Sequence, residues 1–283
     1  MRVLVTGAGG LLGHELMRSL AEPGHHEVLG LGHQQLDVCD RDATMAAVAS
    51  FAPHAIIHAA AWTDVDGCEG DPERAFRANA LATRNVVEAA RIAGARVTYI
   101  STDYVFDGTK AEPYHEWDAT GPLSVYGRSK LAGERELDPS SLVIRTSWLF
   151  GAGGGSFVKT VLRLAREERP LRFVDDQRGH PTNAADLAPA VVRLTAARWS
   201  GVVHVTNQGP ATWFELARDV LTAGGFDAAR AEPITTSELE PSRPAPRPTS
   251  SVLDNAVLRL RGDVLLPHYR DTLEPLVKEL LSP

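Results

Sequence analysis

Cysteine is almost missing from this 283-residue chain, which holds only Cys39 and Cys68. Two cysteines exclude a disulfide framework, and neither has a partner at metal-ligand spacing, so both read as reduced thiols. Lysine is scarce too, four residues against 25 arginines. There is no basic excess: 36 acidic residues outnumber 29 basic ones, for a net charge of −7. A chain so charged does not have phosphate-backbone binding as its main task, and no nucleic-acid partner is expected. No apolar run approaches the ~20 residues of a membrane span. The chain opens directly into the strand-like Arg2-Val3-Leu4-Val5-Thr6, with no signal-peptide h-region before it. A cytoplasmic protein without a membrane partner is the expectation. The ten histidines are read as forming no His-x-x-x-His pattern, so no catalytic metal is predicted.

What is present is a regular alternation. Hydrophobic content of 43% and charged content of 23% are ordinary for a globular chain of this length. Short β-branched runs at 3–6, 28–31, 55–58, 97–100 and 142–146 predict strands, and helical patterns at 11–20, 44–51, 72–93 and 126–137 separate them. Successive βαβ units imply an open α/β parallel sheet with helices on its faces and a ligand crevice at the carboxyl ends of its strands. After residue 150 the texture changes. Gly151-Ala152-Gly153-Gly154-Gly155-Ser156 is a hinge or lid candidate. A helix at 157–168, a strand at 171–174, a helix to about 198, a strand at 202–205 and a capped helix at 212–223 follow. Proline-dense 241–248 reads as an extended loop carrying Arg243 and Arg247. The division expected is 1–150 for a first domain and 151–283 for a second, interleaved one, with segments near 157–174 and 202–206 returning to the sheet.

Four strand ends carry chemistry. Gly7-Ala8-Gly9-Gly10-Leu11-Leu12-Gly13 follows a strand and opens a helix, the context a dinucleotide fingerprint requires. Its glycines let backbone approach a pyrophosphate, which the helix N-terminal N–H groups stabilise. An acid at the end of the second strand would select NAD by binding the ribose 2′-OH. That place reads Leu31-Gly32-His33, so NADPH is favoured, with NADH tolerated. Asp37 and Val38 either meet adenine or form a turn before the next helix. Ala59, Ala60, Ala61 and Thr63 end a further strand. Thr102, in Ser101-Thr102-Asp103, can donate to a carbonyl oxygen. Asp103 either orders that hydroxyl or binds substrate hydroxyls. Finally, Tyr126 and Lys130 stand at i and i+4 and share a helix face, where the ammonium favours phenolate and brings the phenol towards working pH. Four lysines and five tyrosines placed at random yield only about 0.07 such pairs, so a coincidental surface pair is the weaker reading. Tyr126, Lys130 and Thr102 together suit proton transfer to a carbonyl oxygen during hydride transfer.

At these residues the chain resembles the extended short-chain dehydrogenase/reductases, and among them the dTDP-4-dehydrorhamnose reductase family. The similarity runs from Val3–Gly13 through Ala59-Ala60-Ala61-Trp62-Thr63-Asp64-Val65-Asp66, Ser101–Phe106, Pro122–Glu134 and Arg145-Thr146-Ser147-Trp148. It continues through Asp175-Asp176-Gln177-x-Gly179-x-Pro181-Thr182 to Arg247-Pro248-x-x-Ser251-x-Leu253-Asp254. The resemblance implies a Rossmann-type doubly wound parallel sheet with a smaller C-terminal substrate-binding domain. The implied reaction reduces the 4-keto group of a dTDP-6-deoxy-hexulose with NAD(P)H. Tyr126 would donate the proton, Lys130 would bind the nicotinamide ribose and tune Tyr126, and Thr102 would hold the ketone oxygen. Asp103 and Trp148 would touch the sugar, with Val65 near the hexose. Ala61 and Thr63 would line the cofactor, alongside Leu11 and Leu12 of the glycine turn. Arg243 or Arg247 would meet the diphosphate, on grounds of charge and loop position. The partner expected is a dTDP-sugar, and the chain would be a monomer or homodimer. A 4,6-dehydratase has Glu after the Thr-Asp pair, where this chain has Tyr104. A 4-ketoreductase for another dTDP-deoxysugar fits the same motifs. A regulatory subunit of the methionine adenosyltransferase type keeps this fold without catalysis.

Overall fold

A computed structural model describes residues 1–21, 26–167 and 171–282. The first half builds β1 (Arg2–Thr6), α1 (Leu11–Leu20), β2 (Glu27–Leu31), α2 (Arg41–Phe51) and β3 (Ala55–His58). After these come α3 (Val65–Gly70), α4 (Pro72–Phe76), α5 (Ala82–Ala93), β4 (Arg96–Thr102), α6 (Val125–Glu134) and β5 (Leu142–Thr146). Side chains set the helix starts: Asp40 accepts from the Ala43 amide before α2, and Ser124 from the Gly127 amide before α6. Gly94, at φ +68°, ends α5 in a left-handed turn.

The second half adds β6 (Leu149–Phe150), α7 (Phe157–Ala165), β7 (Leu171–Val174), β8 (Arg178–Gly179) and β9 (Thr182–Asn183). Then follow α8 (Ala184–Ala196), β10 (Gly201–His204), β11 (Ala211–Thr212), α9 (Trp213–Ala223), β12 (Ala231–Ile234), α10 (Ala256–Leu260) and α11 (Tyr269–Leu281). The expected end of a helix at Glu168 lies outside the described residues.

Six parallel strands form the main sheet in the order β10-β5-β4-β3-β1-β2. The chain steps outward from β1 to β2, then returns to β3 on the other side of β1. That reversal leaves a crevice beyond the carboxyl ends of β1 and β3. Strand alternation sends Val3, Val5 and Ile57 to α1 and α8 on one face, and Leu4 and Ile56 to α2 and α5 on the other. A separate core, including Val161, Phe173, Leu216, Val220 and Leu273, holds α7, α9 and α11 around the β7–β12 pair.

Three expectations need correction. The strand at 171–174 does not return to the main sheet; it pairs with β12, because its neighbours bury it in the second core. The single helix expected over 72–93 is interrupted by a π-helical segment, Arg77–Leu81, between α4 and α5. The histidines do contain His-x-x-x-His spacing, at His54 and His58. Because His54 immediately precedes β3 and His58 ends it, near-extended backbone puts their Cα atoms up to about 13 Å apart rather than on one helical turn. His58 is instead buried between Thr6 Oγ1 (2.7 Å) and Thr83 Oγ1 (3.2 Å). Among the described residues no group of three potential metal ligands occurs, and no helix is long and apolar enough to cross a membrane.

Candidate active site

The crevice at the carboxyl ends of the strands is walled by backbone. Gly7 has φ +74°, and a Cβ there would stand 2.6 Å from the Ala60 amide nitrogen. A Cβ on Gly13 would stand 2.1 Å from Gly7 O. Only glycine permits this closeness of the turn to the neighbouring strand end. No side chain caps α1 at Gly10, so its first-turn amides are left for a ligand. This cradle fits a dinucleotide pyrophosphate.

Two adjoining cavities share Gly7, Gly10, Ala59 and Ala61. One, of about 960 Å³, is bordered by His33, Asp37, Val38, Ala60, Arg74 and Arg77. Asp37 Oδ1 accepts from the Cys39 amide (3.0 Å), so the turn foreseen for Asp37-Val38 is present and no strand ends there. The same two residues still border the cavity. The other cavity, of about 480 Å³, gathers Leu11, Leu12, Gly13, Thr63 and Val65 with Thr102, Asp103, Tyr126 and Lys130. Trp148, Arg243 and Arg247 complete its far side.

Tyr126 and Lys130 occupy one buried stripe of α6. Lys130 Nζ donates to Ile100 O at 2.7 Å and lies 4.0 Å from the centre of the Tyr99 ring. Burial pulls its pKa down to about 7, against the pull of Glu134 one turn on. Burial also pushes the Tyr126 phenol above its ordinary value, with the neighbouring Thr102 hydroxyl opposing the rise. Lys130 Nζ is directed at Ile100 O, and desolvation is the largest influence on the phenol. Burial thus favours the protonated phenol.

Thr102 Oγ1 donates to Asp103 Oδ1 (3.0 Å) and accepts from the Tyr104 amide (3.2 Å). Asp103 is 2% exposed, and its other oxygen accepts from Ser251 Oγ at 2.5 Å. Of the two roles open to Asp103, ordering the Thr102 hydroxyl is the one its bonds describe. Burial pushes its pKa up to about 7 despite the Ser251 and Thr102 bonds.

Asp66, in the first turn of α3, decides the state of the proline-rich loop. It accepts from Arg247 Nη1 (3.0 Å) and Nη2 (2.7 Å), from the Ala245 amide (3.2 Å) and from Arg243 Nη1 (3.4 Å). Arg247 is thus spent on Asp66, with its side chain 9% exposed, whereas that of Arg243 is 55% exposed. Trp148 has a left-handed backbone, φ +47°, and its indole stacks on Trp213 with centroids 3.6 Å apart.

Four contributors escaped the sequence reading. Asn79, in the π-helical segment, accepts from the Trp62 amide (2.8 Å) and donates to Trp62 O (3.1 Å) and Ser129 Oγ (2.9 Å). It thereby ties the cofactor-side loop to α6. A π-segment at a functional site was the available signal, and only the structure displays it. Ser251 and Trp213 arrive from distant segments. Glu134 forms a buried ion pair with Arg145, 2.7 Å from its Nη2. Its place four residues after Lys130 was visible in the sequence.

A parallel α/β sheet with a glycine turn after β1, Thr102 at the end of β4 and a Tyr-x-x-x-Lys stripe on α6 defines a short-chain dehydrogenase/reductase of the extended type. More narrowly, the chain belongs to the family described as RmlD substrate binding domain, whose model matches residues 1–282. It is 42% identical to a dTDP-4-dehydrorhamnose reductase of Streptomyces griseus over 96% of this chain and 91% of the relative. It is 39% identical to a probable dTDP-4,6-dihydroxy-2-methyloxan-3-one 4-ketoreductase of Streptomyces antibioticus, covering 100% of this chain and 96% of that one. Among solved structures it is similar to a dTDP-4-dehydrorhamnose reductase of Bacillus anthracis in complex with NADP. That similarity has a TM-score of 0.94 at 37% identity, over 98% of this chain and 99% of the other.

Proposed function

We propose that this protein reduces the 4-keto group of a dTDP-4-dehydro-6-deoxy-hexose, dTDP-4-dehydrorhamnose to dTDP-rhamnose, using NADPH and tolerating NADH. The carrying observation is the convergence of Tyr126, Thr102 and Lys130 on one cavity, between the glycine turn and the Trp148–Arg243 side. A bound nicotinamide cofactor supplies the hydride. The amides at the start of α1 and the close turn at Gly7 and Gly13 hold the pyrophosphate. His33, Arg74 and Arg77 stand with a single acid, Asp37, around the adenosine-side cavity, a balance that favours a 2′-phosphate. The NADP of the Bacillus anthracis relative supports the same preference.

In this reading Tyr126 gives its proton to the C4 oxygen as that oxygen gains charge. Thr102 holds the same oxygen once its hydroxyl turns from Asp103. Lys130, freed from Ile100 O, meets a ribose hydroxyl. Arg243, half in solvent, takes the diphosphate, and Arg247 keeps the loop on Asp66. The sheet half, 1–150, would carry the dinucleotide and the interleaved remainder the sugar nucleotide. The reading also carries a cytoplasmic location and a monomer or homodimer.

The kinship to the Streptomyces antibioticus relative favours one second reading, a 4-ketoreductase for another dTDP-deoxysugar. One experiment separates these. NADPH absorbance is followed with the 4-keto sugar nucleotide, and the product sugar is identified by NMR. Oxidation yielding the rhamno-configured alcohol is expected. A different configuration at C4 selects the second reading, and cofactor binding without turnover returns the regulatory-subunit reading.

A further inference from the structure

The segment Asp175–Thr182 carries part of the family resemblance, yet no side chain of it enters the reduction. Its hydrogen bonds show another purpose. Asp175 Oδ1 accepts from Thr212 Oγ1 at 2.6 Å, immediately before Trp213. Asp176 accepts from the amide and hydroxyl of Thr236. Between them Gln177, 5% exposed, accepts from Trp213 Nε1 at 3.2 Å and donates from Nε2 to Thr236 Oγ1 at 2.9 Å. Further along, a Cβ on Gly179 would stand 2.6 Å from Trp148 Cε2, so the indole lies flat on bare backbone. The Thr182 amide donates to Trp148 O (3.2 Å), and Ser147 Oγ donates to His180 O (2.7 Å). One short segment therefore grips both indoles of the stacked pair, whose planes differ by only 5°. It also holds Trp148 in a backbone region that costs a bulky residue energy.

The chemistry at Gln177 is specific. An indole N–H only donates, so Trp213 needs an acceptor. The Thr236 hydroxyl gives its proton to Asp176 at 2.5 Å and so presents lone pairs, which need a donor. A primary amide satisfies both at once; a carboxylate would face Thr236 oxygen to oxygen. Trp213 in turn borders two cavities. With Arg243 and Arg247 it lies on the catalytic cavity and on a second cavity of about 690 Å³, which Phe157, Phe173 and Gln177 also line.

We infer that Gln177 is a positioning residue: by fixing Trp213 against Trp148 it sets the aromatic wall along which the sugar nucleotide lies between the two cavities. It governs substrate affinity without touching the reacting atoms. The inference rests on the proposed reduction. The test compares wild type, Gln177→Met, Trp213→Phe and the double variant in KM for the sugar nucleotide, kcat, NADPH Kd and near-UV circular dichroism. Gln177→Met keeps the volume and removes both bonds. Two parallel indoles in contact couple their transitions, so wild type should show a couplet that Gln177→Met loses. Each single variant should raise KM about tenfold with kcat and NADPH Kd nearly unchanged, a loss of uniform substrate binding. The double variant should be no worse than Trp213→Phe alone, since one bond is removed twice. Wild-type KM in Gln177→Met, effects that multiply in the double variant, or a shifted NADPH Kd overturns the inference. Should Gln177→Met not fold, an unchanged KM in Trp213→Phe overturns it alone. Wild-type enzyme that does not oxidise NADPH with the sugar nucleotide sinks the reduction instead.

Discussion

The two walls of the catalytic cavity are made differently. On the cofactor side the wall is backbone: the Gly7 turn, the start of α1 and the 59–63 loop, all at adjacent strand ends of one sheet. On the substrate side it is side chains drawn from separated segments, with Trp148, Trp213 and Arg243 spread over almost 100 residues. A backbone wall tolerates few changes but recognises only what every dinucleotide shares. A side-chain wall is cheap to alter one residue at a time, and substrate choice accordingly belongs there. Tyr126 stands where the two meet.

Substitutions can break this contrast. The largest effect is expected at the junction: Tyr126→Phe should bind NADPH normally and lose about 10²–10⁴-fold in turnover. Single-turnover kinetics with unchanged rates would assign the proton to another donor. On the backbone wall, Gly13→Ala places a methyl where Gly7 O stands, and overpacking of this kind costs about 1–3 kcal/mol. Calorimetry should register that as weakened NADPH binding, with the sugar-nucleotide side intact. NADPH affinity equal to wild type would show the cradle to be looser than its distances.

On the side-chain wall the two arginines should separate. Arg243→Ala should raise KM for the sugar nucleotide about tenfold, the scale of one charge-assisted hydrogen bond, and leave the melting temperature alone. Arg247→Ala should lower the melting temperature, because it strips Asp66 of its bidentate partner. The reverse pattern in thermal melts and kinetics would exchange their roles.

A further effect concerns pH and the whole fold. Burial pulls His58 and His204 down to about 3 and His180 to about 4, from an ordinary 6.5. The unfolded chain takes up protons in that window which the folded chain refuses. Their stabilising contribution is thus full above 6.5 and lost as pH falls through the folded values. Asp103 opposes them, since its pKa is raised to about 7 from 3.8; its contribution is present below 3.8 and lost as pH rises through 7. Three groups against one give a lower urea midpoint at pH 4.5 than at pH 7. A midpoint that holds or rises on acidification would reject this balance.

The same division governs what the sequence disclosed. Gly7, Gly10 and Gly13 fall within one short strand–turn–helix stretch, and Tyr126 and Lys130 within one turn of α6, so local spacing alone places each set. The five strands of the first half were legible because each is long enough to show its pattern. Contacts made across the fold leave no period. Ser251 reaches Asp103 over 148 residues and Arg247 reaches Asp66 over 181. The two-residue strands β6, β8, β9 and β11 are too short for alternation. The π-segment around Asn79 is invisible to a 3.6-residue pattern because it departs from it for only one turn.

The position of β10 has a consequence for the chain as it leaves the ribosome. Its partner β5 ends at Thr146, and the strand that covers it begins only at Gly201. Synthesis at about 5–20 residues per second leaves that edge bare for roughly 3–11 seconds. During that interval Leu142, Val143 and Ile144 offer neighbouring nascent chains an unpaired apolar strand, the kind of edge on which aggregation begins. The sheet cannot close until the stretch between β5 and β10, which carries α7, β7 and α8, has been made. Slower elongation through residues 147–200 lengthens the time for which that edge stands open.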